Sequence, residues 1–409
     1  MTDDLGRALR GTLGTAAREA PEVSPNLLAD VEAGHRRRRR RRMSAAALAV
    51  ALIVGGAGVA GVVRSAGKPP DAARTGKLKP VSPTELGPPI KVRTRWPDAV
   101  RNLPDMRADG RALNPITLLD GNTVLGATAS TTEVTDKLWA YDLRTRTAKL
   151  ITDVVVPRGW SQDAADFTVG HGEIVWWLAA RTAGGERNEI WSAPVTGGPA
   201  RRITSVVGSP PVSLLIDGGN VVWYMDKGVY QAPLSGGPAE KLPGTDGYSI
   251  ISWPWIAPSP SSEKSGVQYK VARNVRTGEQ RVATVAPIKG VWSCLVTWCV
   301  GRPPIDQGDD QDTSTPVQRR NGKDGRLLPR SVEEATFLLQ DRFLFYKPPG
   351  LRTKNYVLYD LETEALLDTG IPAAGGQESM PVPRGDARDQ RILVTTKDGP
   401  MLLDLSEIR

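Results

Sequence analysis

One strand-like element recurs through most of the chain, and no other feature limits the fold as tightly. It reads Leu138-Trp-Ala-Tyr-Asp-Leu143, Ile190-Trp-Ser-Ala-Pro-Val195 and Val229-Tyr-Gln-Ala-Pro-Leu234. It continues as Tyr269-Lys-Val-Ala-Arg-Asn-Val275, Pro316-Val-Gln-Arg-Arg320, Tyr356-Val-Leu-Tyr-Asp-Leu361 and Met401-Leu-Leu-Asp-Leu405. The spacing averages about 44 residues, within the ~40–50 typical of propeller blades. Several copies run into a glycine turn and a second β-prone stretch, as in Thr196-Gly-Gly-Pro-Ala-Arg-Arg-Ile-Thr204 and Ser235-Gly-Gly-Pro-Ala-Glu-Lys-Leu242. Paired glycines supply the positive φ angles that tight hairpins need. An inner hairpin precedes the element, most clearly in Leu214-Leu-Ile-Asp-Gly-Gly-Asn-Val-Val-Trp-Tyr224, and Gly170-His-Gly172 makes the same turn one repeat earlier.

Four short strands per repeat make a blade. The chain is therefore expected to be all-β, a propeller of seven blades, or six if one weak repeat is not a true blade. The last copy, from Arg391 to Arg409, is short of strands. Residues 90–113 are expected to complete it and close the ring, removing the open edges an all-β protein must otherwise protect. The 11 tryptophans, 42 glycines and 33 prolines fit a turn-rich β architecture.

The inner hairpin ending in a Val-Val-Trp run, followed by Trp/Tyr-x-x-Pro and Gly-Gly, resembles the TolB-like propeller repeat. The likeness covers about residues 110–409 and is strongest over 172–204 and 214–242. The first repeat departs from it, with Arg144-Thr-Arg-Thr147 in place of Gly-Gly, and the fifth carries an acidic insertion. The resemblance implies a fold and no activity. The whole layout looks like a group of actinobacterial membrane-anchored propeller proteins, from which no activity is inherited either.

Upstream of the repeats, Arg36, Arg37, Arg38, Arg39, Arg40, Arg41 and Arg42 run directly into Met43–Val63, about 21 residues without a charge. A helix of roughly 20 apolar residues spans a hydrocarbon core. Arginines flanking one end hold that end on the cytoplasmic side. Residues 1–42 are expected inside, 43–63 across the membrane as a retained signal-anchor, and 64–89 as a Pro/Ala/Lys-rich spacer. At about 3.1 Å per residue the spacer would reach on the order of 75 Å and carry the 90–409 propeller outside. Residues 1–34 hold two short helical patterns, Leu5/Leu9/Leu13 and Leu27/Leu28/Val31, that could meet a cytoplasmic partner. Such short helices are marginal alone.

The net charge of +8 invites a nucleic-acid reading. About half of it comes from residues 1–42, and no basic stripe with interleaved aromatics follows, so nucleic-acid binding is not expected. Cys294 and Cys299 flank Leu-Val-Thr-Trp and are expected to form a disulfide across a hairpin on the oxidising side. Two cysteines without neighbouring histidine cannot close a zinc site. Asp306, Asp309, Asp310 and Asp312 lack the spacing of an EF-hand loop and read as a solvated insertion. His171 has no second histidine beyond His35 and no nucleophile elbow beside it, so no catalytic triad is expected.

Most tryptophans fall in strand-like runs and are expected in the core. Trp253-Pro-Trp255 is the candidate for an exposed aromatic pair that touches a glycan or peptide. With no catalytic, metal or cofactor constellation visible, the expected role is non-enzymatic binding of an extracytoplasmic protein, peptide or envelope component. Transmembrane regulation through residues 1–34 is the alternative. A propeller-based hydrolase is the weakest reading.

Overall fold

The computed structural model describes residues 77–409 apart from 131–133, 157–164, 183–184, 261–265, 303–313, 330–336, 347–352, 373–390 and 397–398. The Arg36–Arg42 run, the 43–63 span, the helical patterns of residues 1–34 and the aspartates of the fifth repeat all lie outside the described residues. Among the described residues no helix is long and apolar enough to cross a membrane.

Blade 1 is Asn114–Leu118, Thr123–Ala129, Thr135–Asp142 and Thr147–Asp153, adjacent in that order. Blade 2 is Ala165–Gly170, Glu173–Thr182, Gly185–Pro194 and Arg201–Val207. Blade 3 is Val212–Asp217, Asn220–Met225, Gly228–Pro233 and Glu240–Lys241, and blade 4 is Tyr248–Ser252, Trp255–Pro258, Val271–Asn274 and Gln280–Val282. Blades 5 and 6 open on Val291–Cys294 and Phe337–Leu339, and both carry added strands. A seventh sheet joins Arg391–Thr396 and Gly399–Asp404 to Val100–Asn102. Six sheets are thus full blades, and a three-stranded seventh is completed from the stretch expected to do so. The recurring sequence element is the third strand of each full blade.

The turns follow their residues. Asp217 pairs with Asn220 across Gly218, whose φ is 57°. In blade 2 His171 and Gly172 take φ 50° and 76°, so the imidazole sits on a hairpin turn as its sequence suggests. The Gly-Gly turns also stitch neighbours together. The Gly198 amide donates to the Ile151 carbonyl of blade 1 at 3.0 Å, and the Gly237 amide to the Ile203 carbonyl of blade 2 at 3.1 Å.

Apolar faces of consecutive sheets fill the gaps between them. Trp177, Ile190, Leu214 and Trp223 pack between blades 2 and 3, and Phe345, Tyr356, Ile392 and Leu403 between blade 6 and the seventh sheet. Met106, Leu118, Val124 and Leu402 close the remaining seam. Trp176, Trp223, Trp292 and Trp298 are among the largest fully buried side chains. Aromatic rings suit this position because each covers a wide area between two pleated surfaces.

The segment from Lys79 to Ala112 runs round the rim. Lys79–Pro80 adds in parallel to Arg326–Leu327 at the outer edge of blade 5, and Ile90–Lys91 to Leu367–Asp368 of blade 6. Val100–Asn102 then pairs antiparallel with Met401–Leu403. The hairpin Arg107–Ala108/Arg111–Ala112 is fastened to blade 1, where Arg111 donates to Asp136 at 2.6 Å and Asp136 also accepts from Thr128. Residues 79–89 were expected in the free spacer. Instead their backbone caps a sheet edge and Leu86 is buried between blades 5 and 6, so the docked chain begins earlier than residue 90.

Candidate functional site

The first strand forms one edge of its sheet in every full blade but the fifth, and in four blades it carries a bulge. Register slips between Pro115 and Thr117, Ala165 and Thr168, Val212 and Leu215, and Ile250 and Ser252. A bulge inserts an unpaired residue and re-aims its side chain. In blades 2 and 3 the bulge places Asp166 and Ser213 in the left-handed region, each at φ 53°. Non-glycine residues rarely hold that conformation without a surrounding structure that fixes it. Asp166 and Ser213 therefore stand at equivalent points of the first strands of adjacent blades.

The Asp166 carboxyl keeps solvent access. Burial by the surrounding protein nevertheless pushes its pKa up, against the opposing pull of the Leu214 and Ser213 amides. Removing water from a carboxylate disfavours its charged form unless donors or a cation replace the water. No cationic side chain among the described residues pairs with Asp166. Trp177 pairs across the sheet with Ala165, and its buried indole N–H completes no hydrogen bond among the described residues.

Tyr224 lies near enough to feel the charges of Asp166 and of Tyr269. Tyr224 ends the second strand of blade 3 opposite Val212, and its ring is rooted in the core between blades 3 and 4. Burial raises its pKa, and the nearby Tyr269 and Asp166 charges add to the shift. Tyr269, at φ 56°, follows Gly266–Gln268, a strand that leaves blade 4 and adds in parallel to Val291–Ser293 at the inner edge of blade 5. Burial raises its pKa as well, with Arg302 working against the shift. Arg302 itself donates to Gln268 at 3.1 Å. Among the described residues Asp166 thus has no cationic partner, and burial keeps Tyr224 of blade 3 and Tyr269 of the blade 4 excursion neutral.

A concave feature lies between blades 4 and 5. A cavity of about 340 Å³ is lined by Arg281, Val282, Val296, Thr297, Arg319, Arg320 and Asn321. Its arginines are already engaged. Arg281 pairs with Glu279 at 2.7 Å and lies 4.6 Å over the Trp255 ring. Arg319 pairs with Asp324 and Glu362 at 2.7 and 2.6 Å and lies 4.6 Å over Trp298. Arg320 is buried, and burial pushes its pKa down to about 10. Its guanidinium donates to the carbonyls of Tyr269, Lys270, Arg281, Cys294 and Leu295 at 2.7–3.1 Å. That is a structural clamp with little charge left for a ligand.

The residues singled out in the sequence fall in three places. Cys294 and Cys299 are directly paired across the hairpin and joined by a disulfide, both buried. Trp253 is buried at 8% exposure, with its indole donating to Asp217 of blade 3 at 2.9 Å. Trp255 is half-buried beneath Arg281. The two rings are therefore not an exposed pair: blade 3 claims one, and the cavity rim covers a face of the other. The arginines of the topology signal are outside the described residues. No cluster of three or more metal-ligating side chains occurs among the described residues. Asp166, Trp177, Tyr224 and Tyr269 were not singled out in the sequence as a site. The usable signal was repeat alignment, since Asp166 and Ser213 each precede the centre of their inner turn by the same offset.

The sheets define this chain as a β-propeller protein. No known family profile matches its sequence, and no curated protein matches it. Solved structures do resemble it. The β-propeller domain of the Trilobed protease from Pyrococcus furiosus is 12% identical, with a TM-score of 0.38 over 69% of this chain and 90% of that one. An oligogalacturonate lyase of Vibrio parahaemolyticus is 13% identical, with a TM-score of 0.39 over 71% and 76%. The N-terminal domain of Nup159 is 10% identical, with a TM-score of 0.39 over 75% and 90%. At these values the likeness concerns the propeller fold and says nothing of chemistry.

Proposed function

We propose that this chain is a single-pass membrane-anchored propeller that binds a protein, peptide or cell-envelope component outside the cell without turning it over. The binding reading is carried by one observation: Asp166, on the bulged first strand of blade 2 at φ 53°, has no cationic partner among the described residues. A partly desolvated carboxylate without a cation beside it is suited to a ligand that supplies one. The anchoring rests on the arginine run ahead of an apolar span long enough to cross. The TolB-like character of the repeat supports the fold and leaves the ligand open.

A photo-crosslinking residue in place of Lys227, on the exposed turn that follows Tyr224, tests the binding in intact cells. The expected result is a discrete adduct that disappears in Asp166→Ala. No adduct, or purified protein that chemically converts the captured ligand, overturns the reading. Topology is separable from binding. Both native cysteines are in the disulfide. A cysteine placed at Arg409 should therefore react with a membrane-impermeant maleimide on intact cells, and protection until lysis would reverse the orientation.

A further inference from the structure

We propose that the cavity between blades 4 and 5 is the docking site of the chain's own residues 71–76, Asp71-Ala-Ala-Arg-Thr-Gly76, with the Asp71 carboxylate on the Arg281 and Arg319 guanidiniums. The inference stands apart from the binding reading above.

The rim segment fills the gaps it crosses. It meets successive sheet edges at Lys79, Ile90 and Val100, a stride of 11 and then 10 residues. Between the first two edges Leu86 is buried among Trp298 and Val300 of blade 5 and Leu344 and Val357 of blade 6. Between the next two, Val92 and Ala99 are buried with Phe345 of blade 6 and Leu403 of the seventh sheet. Beyond Val100, Leu103 and Met106 join Trp139 and Tyr141 of blade 1. Followed upstream, the same path comes next to the gap between blades 4 and 5, which holds the cavity of about 340 Å³.

The start of the rim segment points the same way. Leu78 packs against Ala283 and Ala286, just past Val282 of the cavity wall. It also lies so close to Gly325 that a Cβ there would come within 2.9 Å of its Cδ2. Gly325 follows Asp324, which pairs with Arg319 of the cavity at 2.7 Å. The six residues that lead back from Lys77 to Asp71 reach up to about 20 Å when extended. That exceeds the ~10 Å between packed sheets.

Charge and size select this occupant. Arg281 donates to Glu279 through Nε, and Arg319 to Asp324 and Glu362 through Nε and Nη2. Both terminal nitrogens of Arg281 and Nη1 of Arg319 make no hydrogen bond among the described residues. Each guanidinium lies 4.6 Å over a tryptophan ring, Trp255 or Trp298, which restricts its rotation. Asp71 is the only acid between Glu32 and Glu85, so the upstream chain brings one carboxylate to these donors. Ala72, Ala73 and Gly76 suit a narrow gap and would cover Val282, an apolar side chain 56% exposed. A tethered segment also meets its site at high effective concentration, an advantage that a free acidic ligand lacks.

Thiol crosslinking in the full-length chain in detergent tests the placement. Ala73→Cys combined with Val282→Cys is treated with a short bismaleimide. The native cysteines are buried in their disulfide and do not compete. A link within one chain is expected, formed at least about 10-fold faster than in Ala73→Cys with Thr145→Cys, on an exposed turn of blade 1. Asp71→Asn is expected to slow it about 3- to 10-fold, the range of one hydrogen bond. Equal rates for the two cysteine pairs, or no effect of Asp71→Asn, overturns the proposal. A link between two chains assigns the cavity to a second copy and overturns it as well.

Hydrogen exchange decides with the unaltered chain. The amides of residues 72–76 are expected to exchange at least about 10-fold more slowly than in a synthetic 70–78 peptide. Equal exchange overturns the proposal and leaves the cavity to a separate acidic partner.

Discussion

Arg391 donates a hydrogen bond from Nη1 to the Leu118 carbonyl at 3.1 Å, across the seam where the seventh sheet meets blade 1. The same guanidinium pairs through Nε with Asp404 at 3.0 Å. Together they lock residues far apart in sequence at the point where the ring closes. Arg391→Met keeps the apolar stem and removes these polar contacts, so a loss of about 1–3 kcal/mol is expected in denaturant unfolding. Arg107→Met is the control. Its pair with Asp105 is 65% and 77% exposed, and such a pair contributes little in water.

Acid should loosen the end of the chain near blade 6. Burial works against charge on Asp360, but the bidentate Arg342, the Thr363 hydroxyl and the Glu362 amide hold its pKa below the usual carboxylate range. A carboxyl that binds its proton more weakly when folded contributes stability above its unfolded pKa of about 3.9. That contribution is lost as pH falls through the lower folded value. Asp360→Asn should therefore be clearly less stable than the parent at pH 7, with the deficit shrinking below about pH 4. Urea unfolding at pH 7 and pH 3 measures both. An equal deficit at the two values would count against the ion pair with Arg342.

Reduction of the Cys294–Cys299 disulfide should cost stability without unfolding the propeller. The bond closes a small ring, for which loop entropy gives about 2 kcal/mol. Arg320→Met should cost more, at least about 3 kcal/mol, because it removes the guanidinium hydrogen bonds to five carbonyls, of which only that of Lys270 is also served by the Ala283 amide in a loop bond. Thermal melting of the reduced protein, of the double Cys→Ala variant and of Arg320→Met ranks the three.

Gly228 opens the third strand of blade 3 at φ 133°, and a Cβ there would sit 2.5 Å from the Thr245 carbonyl oxygen. Gly228→Ala is expected to lose more than about 2 kcal/mol from strain and clash together. Gly218, at φ 57° with open space around it, should accept Asn at almost no cost, since Asn tolerates the left-handed region. Paired melting curves of the two variants check this directly.

Much of the fold was legible in the sequence because each repeat carries its own pattern. The third strands, the Gly-Gly turns and the Asp217–Asn220 hairpin are all written in local residue choices. The rim segment was not, because Lys79–Pro80 and Ile90–Lys91 are two-residue strands. Two residues cannot display an alternation, and a proline-rich stretch lying along an edge looks like a spacer. Trp253 misled for a related reason: the acceptor for its indole, Asp217, belongs to the preceding blade. Asp166 was hidden because a bulge is a property of pairing register, which no single strand reveals.

The rim segment also decides how the propeller meets force. A pull that reaches Lys79 meets the short grip on Arg326–Leu327 before the later pairings of the segment. The pairing with Leu367–Asp368 is next, and only after it fails does the load arrive at Val100–Asn102, whose release would open the circle. The segment is expected to act as a graded fuse, releasing one sheet edge at a time. A tug from the N-terminal side is therefore expected to be spent first at the periphery, and only afterwards on the sheet that closes the ring.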